Sequence, residues 1–312
     1  MPDPIHISQF DEIAAVLRNP EFDVVQFGQG HETIAAHLGF DASEIVSAFK
    51  AVPLALRGPA HPEARKRLAN IIAEATPQIE QFISCSLPSM LDNLLQPGRH
   101  DVLAEFILPC ADAFMTAHIG SSPQMPADSI IPRALSPTIG VSKRKRLNTE
   151  LGILRNHLSE QLPDMSPQEV ADRMVLAILG TDALRGTLGQ SLHAYFEGVS
   201  SAIDPTAPPR TGVPHLPRQA MSDQVVNGQV CPAGQLAHLD LKSFNDSEKP
   251  HERMRFFGIG AHTCLGRRMS LRLWRGIVEH LQSRNPSAQV LSYRLRRCDV
   301  FDVPEVFEIE VT

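Results

Sequence analysis

Cys264 stands in the run Phe257-Gly258-Ile259-Gly260-Ala261-His262-Thr263-Cys264-Leu265-Gly266. The pattern F-G-x-G-x-H-x-C-L-G is a glycine-rich loop that delivers one cysteine to the start of a helix. A thiolate placed there gains from free N–H groups and from the positive end of the helix dipole. Such a cysteine suits metal ligation. Gly258, Gly260 and Gly266 permit positive φ and a close approach of the backbone to a flat ligand. A buried free thiol at a loop–helix junction is the ordinary fate of a lone cysteine. By background frequencies, seven specified residues at these spacings arise by chance on the order of once in ten million chains of this length. The ligand reading therefore prevails.

The segment resembles the haem-binding signature of the cytochrome P450 family. The resemblance implies haem b, with its iron ligated by the Cys264 thiolate and Phe257, Gly258, Gly260, His262 and Gly266 forming the surrounding loop. Thiolate ligation donates electron density and favours O–O cleavage. Ala60-His61-Pro62-Glu63-Ala64-Arg65 resembles the family's H-x-x-x-R. His61 and Arg65 are four apart, so they share a helix face and could both reach a haem carboxylate; a solvated surface pair is the alternative. Leu216-Pro217-Arg218-Gln219-Ala220, followed by Gly228 to Gly234, resembles the family's propionate-contacting arginine strand and the turn after it. Arg218 is thus a third propionate candidate, and His262 falls where the family sets Arg or His against the other propionate. Two carboxylates entering a partly buried site need such cationic or donor groups.

Leu179-Gly180-Thr181-Asp182-Ala183-Leu184 falls where the family has A-G-x-(D/E)-T-(T/S). Gly180 matches as the residue that opens the helix near the ligand, and Asp182 as the proton-relay acid. The family's hydroxyl position holds Ala183. Proton delivery needs a donor or an ordered water within hydrogen-bond reach. Thr187, four residues on, shares the face of Ala183 and could substitute in part. A helix that merely packs on the haem is the alternative.

These residues need elements to hold them. Apolar spacing predicts helices over Phe10–Leu17, Pro62–Ala75, Pro77–Leu95, Val102–Ile119 and Lys143–Leu162, with a break at Thr76-Pro77 and a loop from Gln124 to Thr138. Ser166, Pro167 and Glu169 form a helix start, and that helix runs through Met174 to Ala194 although Gly180, Gly186 and Gly189 weaken it. Pro205 to Gly234 reads as short strands and turns. A helix follows the cysteine loop from Arg267 to Ser283. The alternation Phe307-Glu308-Ile309-Glu310-Val311 marks a terminal strand. The fold class is mainly α with a minor β portion, in one haem-thiolate domain over residues 1–312. The resemblance implies a shortened cytochrome P450-like fold, opening directly at what resembles the family's B helix, with the N-terminal sheet, the A helix and the J helix missing. The family's E-x-x-R is not found: Glu197 could stand for the acid, but the arginine position holds Ser200.

The implied activity is a monooxygenase oxidising a small organic substrate in specialised metabolism. Ala183 motivates an alternative: a peroxygenase, or a redox-neutral dehydratase or isomerase. The missing E-x-x-R motivates a second, a haem-binding relative without catalysis. Pocket residues are expected in Gln26–Ala51 and Gln124–Lys143. A second subunit, as in a homo-oligomer, could supply missing pocket walls. Lys66, Arg67, Arg267, Arg268, Arg272 and Arg275 form a basic face on which an acidic ferredoxin or flavodoxin could dock; a solvated face is the alternative.

The remaining composition narrows the classes. A net charge of −6 with 5% aromatics argues against nucleic acid. The longest apolar run, Met174 to Leu179, is too short to span a bilayer. No secretory signal is seen, and five cysteines without close pairing read as reduced thiols, so a cytoplasmic protein is expected.

Overall fold

Strand β1 (Ile5–Ile7) precedes helix α1 (Phe10–Arg18), and β2 (Phe22–Asp23) follows it. The computed structural model describes residues 3–312 except 127, 137, 138, 227, 248, 298 and 299. Cys298 and part of the Gln124–Lys143 stretch thus lie outside the described residues. The sequence reads as opening directly on α1, yet the residues ahead of it form sheet. Three residues are too few to display an alternation, so only pairing with a distant strand reveals β1.

Helices α2 (Phe27–Leu38) and α3 (Ser43–Phe49) lead to α4 (Ala60–Gln81), which continues through a π-helical turn (Phe82–Ser86) into α5 (Leu87–Leu94). The break expected at Thr76-Pro77 does not occur. A proline inside a helix costs about 3 kcal/mol, but Ile71, Ala75 and Ile79 are buried on one face, and the Thr76 hydroxyl donates to Ile72 O at 3.1 Å. Burial of that face outweighs the lost bond. Strand β3 (Gly98–Asp101), a second π-helical turn (Leu103–Ile107) and α6 (Leu108–Ile119) follow. Both π-helical turns lie just ahead of a proline, Pro88 and Pro109. The wider turn relieves the clash between a proline ring and the carbonyl four residues back.

Helix α7 (Val141–Gln161) and the 30-residue α8 (Pro167–Phe196) complete the helical layer. The expected capping box is present: Glu169 N–H donates to Ser166 Oγ at 3.3 Å, and Ser166 N–H to Glu169 Oε2 at 2.8 Å. The glycines of α8 do not interrupt it, because neighbours press into their vacant side. A Cβ on Gly186 would stand 2.5 Å from Asp302 O. Between α8 and the next strand lies only the four-residue α9 (Ser200–Ile203), so the family's J helix is missing as expected.

Strand β4 (His215–Ala220), the hairpin β5 (Gln224–Val226) and β6 (Gln229–Cys231), and β7 (Leu236–Asp240) come next. The larger sheet has the order β1-β7-β4-β2, with β1 parallel to β7 and β4 antiparallel to both neighbours. Helix α10 (Pro250–Arg253) leads into the cysteine loop, then α11 (Arg267–Arg284), β8 (Ala288–Arg297) and β9 (Asp302–Val311). The terminal strand is thus as predicted; β9 pairs with β3 and β8. One buried cluster joins α3 to α8 with α11, and a second lies on the larger sheet. The loop straddles them: Phe256 and Phe257 are seated in the second, and α11 in the first.

Helix α11 runs beside α4–α5 in the same direction. Arg272 Nε is 3.2 Å from Glu80 Oε2, and Gly276 faces Ile83. Further along, His280 Nε2 and Arg284 Nε each lie 2.8 Å from Asp92 Oδ1.

A second tether holds the other side. His31 of α2 is 2% exposed; its Nε2–H donates to Ala134 O at 3.1 Å, and Nδ1 accepts from Arg144 of α7 at 2.5 Å. Burial, assisted by the Arg144 charge, pushes the His31 pKa down to about 4. The unfolded chain, with an ordinary imidazole near 6.5, binds this proton more readily than the fold. Stability is therefore complete above pH 6.5 and falls as pH drops toward 4, by about 3 kcal/mol from this group. Urea unfolding at pH 7 and 4.5 should show that slope reduced in His31→Gln.

Candidate functional site

The loop closes on itself before it presents the cysteine. Gly258 and Gly260 take φ of 82° and 73°, a region that L side chains rarely adopt. Cys264 N–H donates to Phe257 O at 2.7 Å. Gly266 is different from expectation: its φ is −75°, and it serves as the N-cap of α11. A Cβ there would meet Cys264 Sγ only in ordinary contact, at 3.8 Å, so neither backbone angle nor space demands a glycine in this position. The backbone N–H groups of Gly266 and Arg267 favour the thiolate form of the cysteine. Burial nonetheless pushes the thiol up, against those N–H groups and the charges of Arg65 and Arg267. The helix terminus alone does not make a thiolate here; a metal cation at the sulfur would deprotonate it outright. The sulfur lies deep in the molecule, yet its surface is open to a cavity.

That cavity measures about 490 Å³. Leu68 and Ile72 of α4, Leu179 and Ala183 of α8, and Leu216 of β4 are among its mostly apolar lining. Pockets of this size and character hold small molecules and cofactors.

Four basic groups meet at one side of it. Arg65, Arg218 and His262 line the cavity, and the His61 ring lies 4.1 Å from that of His262, centre to centre. Arg65 Nη2 donates to Thr263 O at 2.8 Å, fastening α4 to the cysteine loop. Arg218 is 4% exposed; its one hydrogen bond is to the neighbouring Pro217 O at 2.9 Å, and no carboxylate pairs with it among the described residues. His61 Nε2 and His262 Nδ1 are buried without a partner. Burial holds the Arg218 guanidinium down at about 10. Burial, and then the charges of His61, Arg218 and Arg65, push His262 down to about 4. The nearest relief is Asp23, which is already bound to Arg57 at 2.7 Å. The cradle repels itself, and only an anion satisfies it. The two carboxylates of a haem fit this donor set. Sequence reasoning missed Asp23 and Arg57, which no motif marks.

The α8 candidates separate. Gly180, Ala183 and Thr187 line the cavity. Gly180 makes room for a neighbouring side chain: a Cβ there would lie 2.8 Å from Met115 Cε. Thr187 Oγ1 accepts from Gly212 N–H at 3.2 Å. Asp182 is not among the lining residues. It is buried against Arg185, at 3.0 Å, with Arg296 at 3.6 Å. The acid expected to relay protons is therefore occupied as a structural ion pair. Asp182→Ala should destabilise the protein by about 3–5 kcal/mol, because it strands the Arg185 charge, and urea unfolding will read this directly. The basic face is also smaller than expected. Arg67 is bound to Asp172 at 2.8 Å and Arg272 to Glu80 at 3.2 Å, which leaves Lys66, Arg267, Arg268 and Arg275 exposed.

Of the expected pocket segments, Gln26–Ala51 contributes Phe27 and Gln124–Lys143 contributes Leu135. Residues that no sequence signal announced also line the cavity, including Phe114, Met115 and His118 of α6 and Phe301 ahead of β9. No described helix is long and apolar enough to cross a membrane.

No protein-family model matches the sequence, and no curated protein does. Solved structures do match. CalO2 gives a TM-score of 0.75 at 16% identity, over 100% of this chain and 93% of that one. Cytochrome P450 PksS of the Bacillus subtilis 168 bacillaene polyketide synthase gives 0.71 at 17%, over 98% and 90%. P450BioI, solved with an acyl carrier protein ligated to hexadec-9Z-enoic acid, gives 0.70 at 15%, over 98% and 92%. At these identities the likeness is one of fold. The chain is built on the cytochrome P450 fold, mainly helical with a small sheet portion and in shortened form.

Proposed function

We propose that Cys264 ligates the iron of a haem b and that the protein is a haem-thiolate monooxygenase acting on a small, mainly apolar substrate in specialised metabolism. The observation that carries this reading is the cradle of His61, Arg65, Arg218 and His262, whose buried imidazole nitrogens His61 Nε2 and His262 Nδ1 have no partner and which shares one cavity with the cysteine sulfur. When bound, haem supplies oxidation chemistry that no side chain offers. The chain's own residues do the rest. Arg65 bonds to the Thr263 carbonyl, so the carboxylate cradle and the sulfur are positioned together. The N–H groups of Gly266 and Arg267 favour the charged form of the sulfur. The apolar lining excludes water and orients substrate by shape. Thr187 is the hydroxyl of α8 at the cavity; its oxygen is occupied as acceptor by Gly212 N–H, so its own proton is available to donate.

In this reading the chain works as one cytoplasmic domain. An acidic ferredoxin or flavodoxin docks on Lys66, Arg267, Arg268 and Arg275. P450BioI is solved with an acyl carrier protein that bears an acyl chain, which supports a reading in which the substrate here is either free or carrier-bound. Ala183, apolar at the cavity wall, favours a second reading in which peroxide, or no external oxidant, is used.

The test is a reduced carbon-monoxide spectrum of the purified protein, followed by turnover. A thiolate-type Soret band and product formation that requires ferredoxin, reductase and dioxygen support the first reading. Equal product from peroxide alone supports the second, and a folded protein without haem overturns both. On the dioxygen route, Ala183→Thr should raise product per electron pair by about 10-fold or more, because it restores a donor at the wall.

A further inference from the structure

On α6 the cavity wall carries an imidazole that neither the cradle nor the cysteine loop uses. His118 lies in the last turn of α6, is 6% exposed, and lines the cavity beside Phe114 and Met115. Its Nδ1 lies 2.9 Å from the carbonyl oxygen of Phe114, one turn back. A carbonyl can only accept, so the ring proton sits on Nδ1 and Nε2 is a bare lone pair. Nε2 has no hydrogen-bond partner among the described residues. Burial holds the imidazole below its usual range, so the neutral form persists near pH 7. The ring is held by the Nδ1 bond and by the Phe114 ring, 4.5 Å away centre to centre.

The cavity that His118 lines is mostly hydrocarbon, with Leu68 and Ile72 of α4, Leu176 of α8, and Met115 in its wall. None of these side chains carries a hydrogen-bond donor. A rigid buried acceptor facing such a wall is satisfied only by a donor that enters the cavity. The cradle lies at another side of the cavity, fastened to the cysteine loop through Arg65. Among the lining side chains of α6, His118 alone offers a nitrogen acceptor.

We propose that His118 Nε2 is a specificity-determining acceptor that takes a hydrogen bond from a hydroxyl or N–H group on an otherwise hydrocarbon ligand. This deepens the substrate class of the proposed function and rests on the same cavity. It favours alcohols, phenols and amides over hydrocarbons of the same shape. A site built around one buried acceptor discriminates strongly against the analogue that leaves it unpaired.

Calorimetry with two matched probes tests this. 4-Propylphenol carries the donor and 4-propyltoluene replaces it with a methyl group. The wild-type protein should bind the phenol about 10-fold more tightly than His118→Leu does, while the toluene affinity stays within about twofold. His118→Gln, which keeps an acceptor, should retain most of the preference. The ¹⁵N resonance of Nε2 should move with the phenol and not with the toluene. A phenol-to-toluene affinity ratio that is unchanged in His118→Leu, or an Nε2 resonance that the phenol leaves in place, overturns the assignment. Should the leucine variant fail to fold, the glutamine variant and the resonance decide. Haem content is measured separately by absorbance, so absence of haem counts against the proposed function and an unchanged ratio against His118.

Discussion

Cys264→Ala should fold, retain some haem through the carboxylate cradle, and lose the thiolate-type Soret band of the reduced carbon-monoxide complex. The fold does not depend on this side chain, whose sulfur opens into the cavity. The loop is held without it, by Cys264 N–H on Phe257 O and by Arg65 on Thr263 O, and neither bond uses the sulfur. Turnover should fall beyond the roughly 10–100-fold that loss of an outer-shell partner costs a metal site. A folded Cys264→Ala protein that keeps the thiolate band would remove the ligand assignment, and with it the proposed function.

Arg218→Met should act in opposite directions on the two forms of the protein. Without an anion in the cradle, the guanidinium is a buried charge that burial holds down at about 10. That corresponds to about 3 kcal/mol against the charged form near neutral pH. Replacing such a group with an apolar side chain of similar length should stabilise haem-free protein by about 1–3 kcal/mol. The same change removes the deepest donor for a haem carboxylate and should weaken haem binding roughly 10–100-fold. Thermal unfolding of the haem-free protein and haem transfer to apomyoglobin read the two effects separately. If both forms were destabilised, Arg218 would be a structural residue and not a carboxylate ligand.

The parts of the site legible in the sequence are those encoded within a few residues. The cysteine loop needs glycines where φ is positive, and Gly258 and Gly260 supply them. His61 and Arg65 declare themselves by sharing one helix face. The terminal strand declares itself by alternation, and α8 by its capping box. What stayed hidden depends on partners far along the chain. Asp182 reads as a relay acid until Arg296, over a hundred residues later, is found beside it. Arg67 and Arg272 read as a docking face until Asp172 and Glu80 are seen to hold them. His118 carries no motif at all, because its role arises from a bond to its own helix and from a cavity whose wall is drawn from segments far apart in the chain. Pro77 gave the wrong boundary because local propensity was outweighed by burial on one face of α4.

The uninterrupted passage of α4 through Pro77 has a mechanical consequence. One limb, α4–α5, carries His61 and Arg65 near its start; the other, α11, begins just after Cys264. The limbs are riveted at Glu80 and again at Asp92, far from the end that carries Arg65 and Cys264. They behave as a pair of tongs whose jaws are the imidazole–guanidinium cradle and the sulfur. The gap between the jaws is set by the rivets, so loosening Asp92 should be felt at the grip without any change in the residues that do the gripping.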